Sequence, residues 1–284
     1  MRRVLARSGL GLLSPALLVL LAAFLAPVLM MLPMSFRPYL PGQGIGHGWT
    51  LAHYVKSLTD DLYLEIAGRT LLLGAVVTAN CLVIGYPLAL FLARTRSRWR
   101  SWLLLLVVFP LLLNLVVRTF GWIALLANRG LVNDTLLALG LIEAPIKLLF
   151  NFTGILIGLT HIYLPFMVLV LIAAIESMPR DVEDAARTLG AGWWATFLKV
   201  TLPLSLPGIL SGSILVFVLT VSALVTPRLL GGPTYKVMST MIYEQFMQLL
   251  NWPFASALSF LLMAVSVALI AASSWLARRA GAGP

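Results

Sequence analysis

Charge is scarce in this chain. Only 11% of its 284 residues are charged and ten are acidic, whereas 60% are hydrophobic. Soluble domains carry about 25% charged and about 45–50% apolar residues. One soluble core of this length could not bury so much apolar surface, so lipid is the solvent that fits it. Cysteine occurs once, as Cys81 inside an apolar run, which excludes an internal disulfide and a cysteine zinc site. His47, His53 and His161 are the only histidines. None has a Cys or carboxylate cluster nearby, so a metal site is not expected. The dipeptide Gly-Lys is absent, and with it any G-x-x-x-x-G-K-[ST] phosphate loop. If ATP drives this protein, another subunit binds it, and no cofactor is expected on this chain. No nucleophile–base constellation or paired-carboxylate site is visible either, so an enzyme is not expected.

The net charge of +10 does not point to nucleic acid, because the basic residues form neither one face nor one tail. They fall in short clusters between apolar runs, as they do in proteins oriented across a bilayer. A membrane helix needs roughly 20 apolar residues. Six stretches qualify: 9–34, 67–93, 101–126, 152–175, 207–227 and 254–277. The first follows Arg2, Arg3 and Arg7 like a signal sequence. Its apolar core exceeds the 7–15 residues or so of such a segment and no A-x-A triplet follows, so a retained helix is expected. With the N-terminus inside, twelve Lys and Arg lie inside, including Arg94, Arg96, Arg98 and Arg100 in one short loop, against seven outside. The positive-inside rule then places both termini in the cytoplasm. No repeat or low-complexity segment divides the chain, so 1–284 reads as one all-helical membrane domain of six transmembrane helices.

The loop over 176–206 differs from the others. It holds Glu176, Asp181, Glu183 and Asp184, four of the ten acidic residues. Val182, Ala185, Ala186 and Leu189 are spaced i, i+3, i+4 and i+7, one face of a helix. Pro179 suits its first turn and Gly190 its end. A second short helix is expected from Trp193 to Val200, with Trp193, Phe197 and Val200 on one side, ended by Pro203 and Pro207. Such a helix–turn–helix is too short to bury its apolar face alone. It must pack on the bundle, the interface or a partner.

The run D-A-A-R-T-L-G at 184–190, nine residues, then V-T-L-P at 200–203, resembles the EAA loop of binding-protein-dependent ABC importer permeases. Asp184, Ala185, Ala186, Gly190, Leu202 and Pro203 occupy the motif positions. Asp184 stands where Glu is usual and Val200 where Ile is usual, and Glu183 lies one residue earlier. R-T-F-G-W at 118–122, T-P-R-L-L-G-G-P at 226–233 and N-W-P-F at 251–254 resemble the polyamine branch, whose members import spermidine and putrescine, with relatives that take up opines or phosphonates. The resemblance implies the MetI-like permease fold in the bacterial cytoplasmic membrane. It also implies a second, different permease, a cytosolic ATPase dimer that uses the ATP, and a periplasmic solute-binding protein as partners. The loop, including Trp193 and Phe197, would then be a lever docked in the ATPase.

Polar residues at membrane depth are candidates for the solute path. Asn114 and Arg118, four apart, share a helix face. Arg118 either faces the path or snorkels to the headgroups. For His161, Tyr163, Asn80 and Tyr86, packing with a satisfied hydrogen bond is the plainer reading. Gly208 and Gly212 have G-x-x-x-G spacing and predict a close helix contact. Arg228 stands where polyamine permeases resemble T-P-D or T-P-E, and so suits an anionic or zwitterionic solute better than a polycation. The alternative function is an ion-gradient carrier. Such carriers usually place a carboxylate at mid-membrane, and here Glu65 and Glu176 sit only at span edges. A membrane-embedded enzyme is the remaining rival, and His161 with Tyr163 supplies too few acid–base groups for one.

Overall fold

The computed structural model describes residues 2–95 and 97–281. Arg96, counted above toward orientation, lies outside the described residues, as do the side chains of Arg2, Arg3, Arg7, Arg278 and Arg279. Regular structure is almost wholly helical. In chain order it runs α1 (Arg2–Met34), a two-stranded antiparallel ribbon of β1 (Tyr39–Leu40) and β2 (Gly44–Ile45), α2 (Ala52–Thr59), α3 (Asp61–Arg94), α4 (Arg100–Leu112), α5 (Leu115–Leu126), α6 (Leu131–Ala138) and α7 (Phe152–Glu176). Then follow α8 (Arg180–Thr188), α9 (Trp193–Thr196), a π turn (Phe197–Thr201), α10 (Leu202–Ser222), α11 (Val225–Gly231), α12 (Met238–Met247) and α13 (Trp252–Gly281). Six helical stretches are long and apolar enough to cross a bilayer: Pro15–Met34, Asp61–Arg94, Leu115–Ala138, Phe152–Glu176, Trp193–Ser222 and Trp252–Ala272.

Two expectations need revision. The predicted third span, 101–126, is not one helix. α4 stops at Leu112, Leu113 is extended, and α5 restarts at Leu115. Pro110 weakens the end of α4 because it has no N–H to give. Asn114 then caps α5, its Oδ1 accepting from the N–H groups of Val116 and Val117 at 2.9 and 3.4 Å. The second revision concerns Pro203, which does not end the loop's second helix. From Trp193 to Ser222 the helix is unbroken, because the π turn lets the Leu202 N–H reach back five residues to the Phe197 carbonyl. The extra residue takes up the bond that Pro203 cannot donate.

The chain divides into two compact units, residues 2–64 with 242–263, and 65–241 with 264–281. In the first, the segment after α1 is folded. Ser35 Oγ and Tyr54 Oη lie 2.8 Å apart, Tyr39 Oη donates to the Leu249 carbonyl at 3.0 Å, and His53 Nε2 is 2.9 Å from the Arg37 carbonyl. Phe254 takes the edge of Tyr63 with ring centroids 5.0 Å apart, and the Lys56 ammonium lies over its face.

The second unit is centred on α3, α7 and α10. Val77, Cys81, Leu159, Met167, Leu171 and Val216 are fully enclosed. Helices in lipid gain little from burying apolar side chains as such, so close backbone approach has to supply the packing. Gly208 and Gly212 provide it here within the chain. A Cβ on Gly208 would collide with the Ala174 methyl of α7, and one on Gly212 would lie 2.8 Å from Met167 Sδ. The predicted G-x-x-x-G contact is therefore α10 against α7.

Candidate functional site: the loop between α7 and α10

The loop begins at Ser177. Pro179 stands at the N-cap of α8, one place before the predicted first turn, with an extended ψ of 129°. Asp181 and Glu183 sit in the first turn and Arg187 in the last, each complementing the helix dipole. The helix ends in a Schellman motif. Ala191 N–H bonds to the Ala186 carbonyl at 3.0 Å and Gly190 N–H to the Arg187 carbonyl at 2.9 Å. Gly190 holds φ = +86°, where a side chain would be strained. This is why a glycine is needed four residues after Ala186.

The base of the loop is pinned. Glu183 Oε1 accepts from Arg94 Nη2 at 2.7 Å and from the Thr201 hydroxyl at 3.1 Å. The Arg94 and Glu183 side chains are 19% and 13% exposed. Arg100 pairs with Glu176 and also donates Nε–H to the Leu92 carbonyl at 2.9 Å, while Arg180 Nη2 reaches the Ala93 carbonyl at 3.4 Å. Cations thus cap the carbonyl end of α3, where the dipole is negative. Tyr86 and Ser205, joined through their hydroxyls at 2.8 Å, tie α3 to α10 just above, and Phe197 packs edge-on against the Tyr86 ring at 5.8 Å.

The outer side of the loop is bare. Leu189 is 89% exposed and Trp194 67%, and Val182, Trp193 and Leu198 are exposed with them. The apolar face predicted over Val182, Ala185, Ala186 and Leu189 does not pack on the bundle. Ala186 is half-buried and the other three are exposed. Trp193 stacks on Phe197 with an interplanar angle of 5° and meets Trp194 edge-on at 4.4 Å, so the aromatics brace one another. Between them and α3 lies a cavity of about 790 Å³, walled by Tyr86, Pro87, Phe91, Trp193, Trp194 and Phe197, with Arg94 and Glu183 among its lining residues.

Of the motif residues, Asp184 is exposed and only loosely paired with Arg187 at 4.0 Å. Glu183 does not substitute for it at the surface, because its carboxylate turns inward. Leu202 packs against the core, Val200 is half-buried, and Pro203 is exposed in the first turn of α10. Arg94, Arg100, Arg180 and Thr201 carry the anchoring and were not singled out from sequence. For Arg94 and Arg100 the one signal was their place in the four-arginine loop, which spoke to orientation and not to contacts.

The solute-path candidates are dispersed by comparison. Asn114 is spent on capping α5. The Arg118 guanidinium folds back on the Pro110 carbonyl through Nη1, bridging the break between α4 and α5, while its buried Nε has no hydrogen-bond partner. Trp122 Nε1 donates to His161 Nδ1 at 3.2 Å, and the Tyr163 hydroxyl donates to the Leu219 carbonyl at 3.0 Å. Arg228 is exposed on α11, whose neighbouring Thr226, Pro227 and Leu230 are buried.

The family described as "Binding-protein-dependent transport system inner membrane component" matches residues 85–281. The spermidine/putrescine transport system permease protein PotB of Escherichia coli is 36% identical over 239 residues, spanning 84% of this chain and 86% of that protein. PotB of Haemophilus influenzae is 34% identical over 235 residues, with 83% and 82% covered. Among solved structures, a chain of the bacterial alginate ABC transporter in complex with an alginate pentasaccharide-bound periplasmic protein superposes with a TM-score of 0.80 at 20% identity, covering 98% of this chain and 96% of that one. A chain of the inward-facing MetNI methionine ABC transporter superposes at 0.60 and 18% identity, with 76% and 95% covered. At such identities the superpositions speak to the fold.

Proposed function

The chain belongs to the binding-protein-dependent transport system inner membrane components, so it is a multi-pass permease subunit of a bacterial ABC importer, and we propose that its 180–203 loop is the lever through which a separate ATPase drives it. The observation that carries this is the asymmetry of the loop. Its base is locked to α3 and α10 through Glu183, and its far side presents Leu189, Trp193, Trp194 and Leu198 to solvent. Exposed large apolar side chains, with Asp184 and Arg187 exposed on the same loop, are the composition of a protein interface. A push on that far side passes into α10 through a helix that does not break at Pro203, which suits rigid-body alternation between two bundle arrangements.

On this reading the loop end is cytosolic, and an ATPase dimer, a second permease and a periplasmic binding protein complete the importer. The solute is a polyamine or a related small amino-bearing compound, a reading supported by the PotB relatives at 36% identity. The ion-gradient carrier has less support, since every acidic residue within the six spans lies at or near a helix end, and Glu176, at the end of α7, is engaged by Arg100.

The test is a detergent pull-down from membranes with this chain as bait, assayed for ATPase activity. Leu189→Glu with Trp194→Glu should lose the ATPase while the chain still reaches the membrane in normal amount. Full recovery of the ATPase with that variant, or solute movement by the purified chain alone under an ion gradient, overturns the proposal.

A further inference from the structure

A second cavity, of about 540 Å³, opens beside the loop at the junction of α3, α4 and α7, and Arg94, Arg98, Arg100, Arg180 and Glu176 are among its lining residues. Its charges do not cancel. Glu176 is taken by Arg100 and Glu183 by Arg94. Among the described residues Arg98 and Arg180 have no carboxylate within ion-pair distance. Arg180 makes only the long bond to the Ala93 carbonyl, and the Arg98 guanidinium lies over the Trp99 ring at 5.5 Å. Two guanidiniums facing one cavity without a counter-charge are a seat for a phosphate.

The neighbouring surface says which phosphate. Directly along α4 runs a groove of about 530 Å³, lined by Trp99, Trp102, Leu106 and Phe109, all exposed. Trp99 to Phe109 is ten residues, or about 15 Å of helix. That is half of a hydrocarbon core about 30 Å thick, the depth of one leaflet. Tryptophans at its basic end are the side chains that favour the headgroup level. A free phosphate or nucleotide would use the arginines and leave the groove empty. A lipid would use both.

We propose that the α3–α4 corner seats an anionic phospholipid of the cytoplasmic leaflet, its phosphate held by Arg98 and Arg180 and one acyl chain lying along Trp102, Leu106 and Phe109. The word cytoplasmic rests on the loop reading above. Basic pockets between helices on that side of a membrane are suited to anionic headgroups. Because Arg180 opens α8 and Arg100 holds Glu176, a lipid here would bear on the base of the lever.

The experiment uses the permease purified with its partner subunits, in micelles carrying brominated phosphatidylglycerol or brominated phosphatidylcholine at equal mole fraction, without ATP. Tryptophan quenching is read against lipid fraction. Phosphatidylglycerol should half-quench at a several-fold lower fraction than phosphatidylcholine, and that preference should fall roughly fivefold for each arginine lost in Arg98→Gln and Arg98→Gln/Arg180→Gln. The single variant, at an exposed position, keeps the test valid if the double one does not assemble. Equal quenching by both lipids, or a preference that survives the double substitution, overturns the proposal. So does displacement by inorganic phosphate at matched ionic strength, which would make the pocket a free-phosphate site. A preference seen only after the ATPase is stripped overturns it too, since the pocket would then be the ATPase's seat. A preference that holds while stimulated ATPase activity is absent leaves the lipid site standing and counts against the lever reading alone.

Discussion

Glu183 and Arg94, 89 positions apart in the chain, meet at 2.7 Å with both side chains mostly enclosed. Thr201 donates to the same carboxylate oxygen at 3.1 Å. One oxygen therefore joins the end of α3, the loop helix α8 and the π turn that leads into α10. On the proposed lever reading, the base of the loop must not slip, and this contact would hold it.

Glu183→Gln should weaken that base without changing its shape. Arg94 would keep a hydrogen-bond partner but lose its counter-charge in a mostly enclosed site. A double-mutant cycle with Arg94→Gln, read by thermal unfolding in detergent, should give a coupling of about 1–2 kcal/mol, between the values for exposed and fully buried pairs. Solute moved per ATP should fall more than the amount of protein in the membrane. A coupling indistinguishable from zero would remove the tie.

The spacing of the 184–203 motif was legible because its requirements are local. A small-residue face, a glycine at positive φ and a proline at a fixed distance are all written in consecutive residues. The partner of Glu183 was not legible, because nothing near position 183 names Arg94. Pro203 misled for a different reason. Proline ends helices where each N–H must reach back four residues, and the π turn over Phe197–Thr201 changes that reach to five. The break inside the third apolar run was present in the residues, as Pro110 followed by Asn114, but the unbroken hydropathy of 101–126 masked it. Hydropathy reports what lipid tolerates, and not whether the backbone is one helix.

The contact of α10 with α7 gives a sharper packing prediction. At Gly208 an added Cβ meets the Ala174 methyl, a short side chain fixed to the α7 backbone that has no rotamer to move aside. Gly208→Leu should force the helices apart and cost at least the roughly 1–3 kcal/mol of an overpacked core, seen as a lower unfolding temperature and poor recovery from the membrane. Ser211→Leu, one turn on but exposed, should leave both nearly unchanged. Equal behaviour of the two variants would show that the small residues do not hold the bundle.

Arg228 lies at the opposite end of α10 from the loop, on α11, and α10 with 21 residues is about 30 Å long. The turn around it is packed through Thr226, Pro227 and Leu230, while Arg228 itself is exposed. It lies at the end of α10 away from the loop. A cation there lowers the local concentration of a dication and raises that of an anion. Arg228→Glu reverses the sign at an exposed position. Putrescine uptake by the assembled importer should then rise several-fold at low salt, mainly through a lower KM, and the gain should shrink as ionic strength approaches about 0.15 M, where the Debye length is about 8 Å. An anionic or zwitterionic solute should respond in the opposite direction. Equal putrescine uptake by wild type and variant at low salt would mean that Arg228 takes no part in choosing the charge of the solute, and that the choice is made elsewhere in the importer.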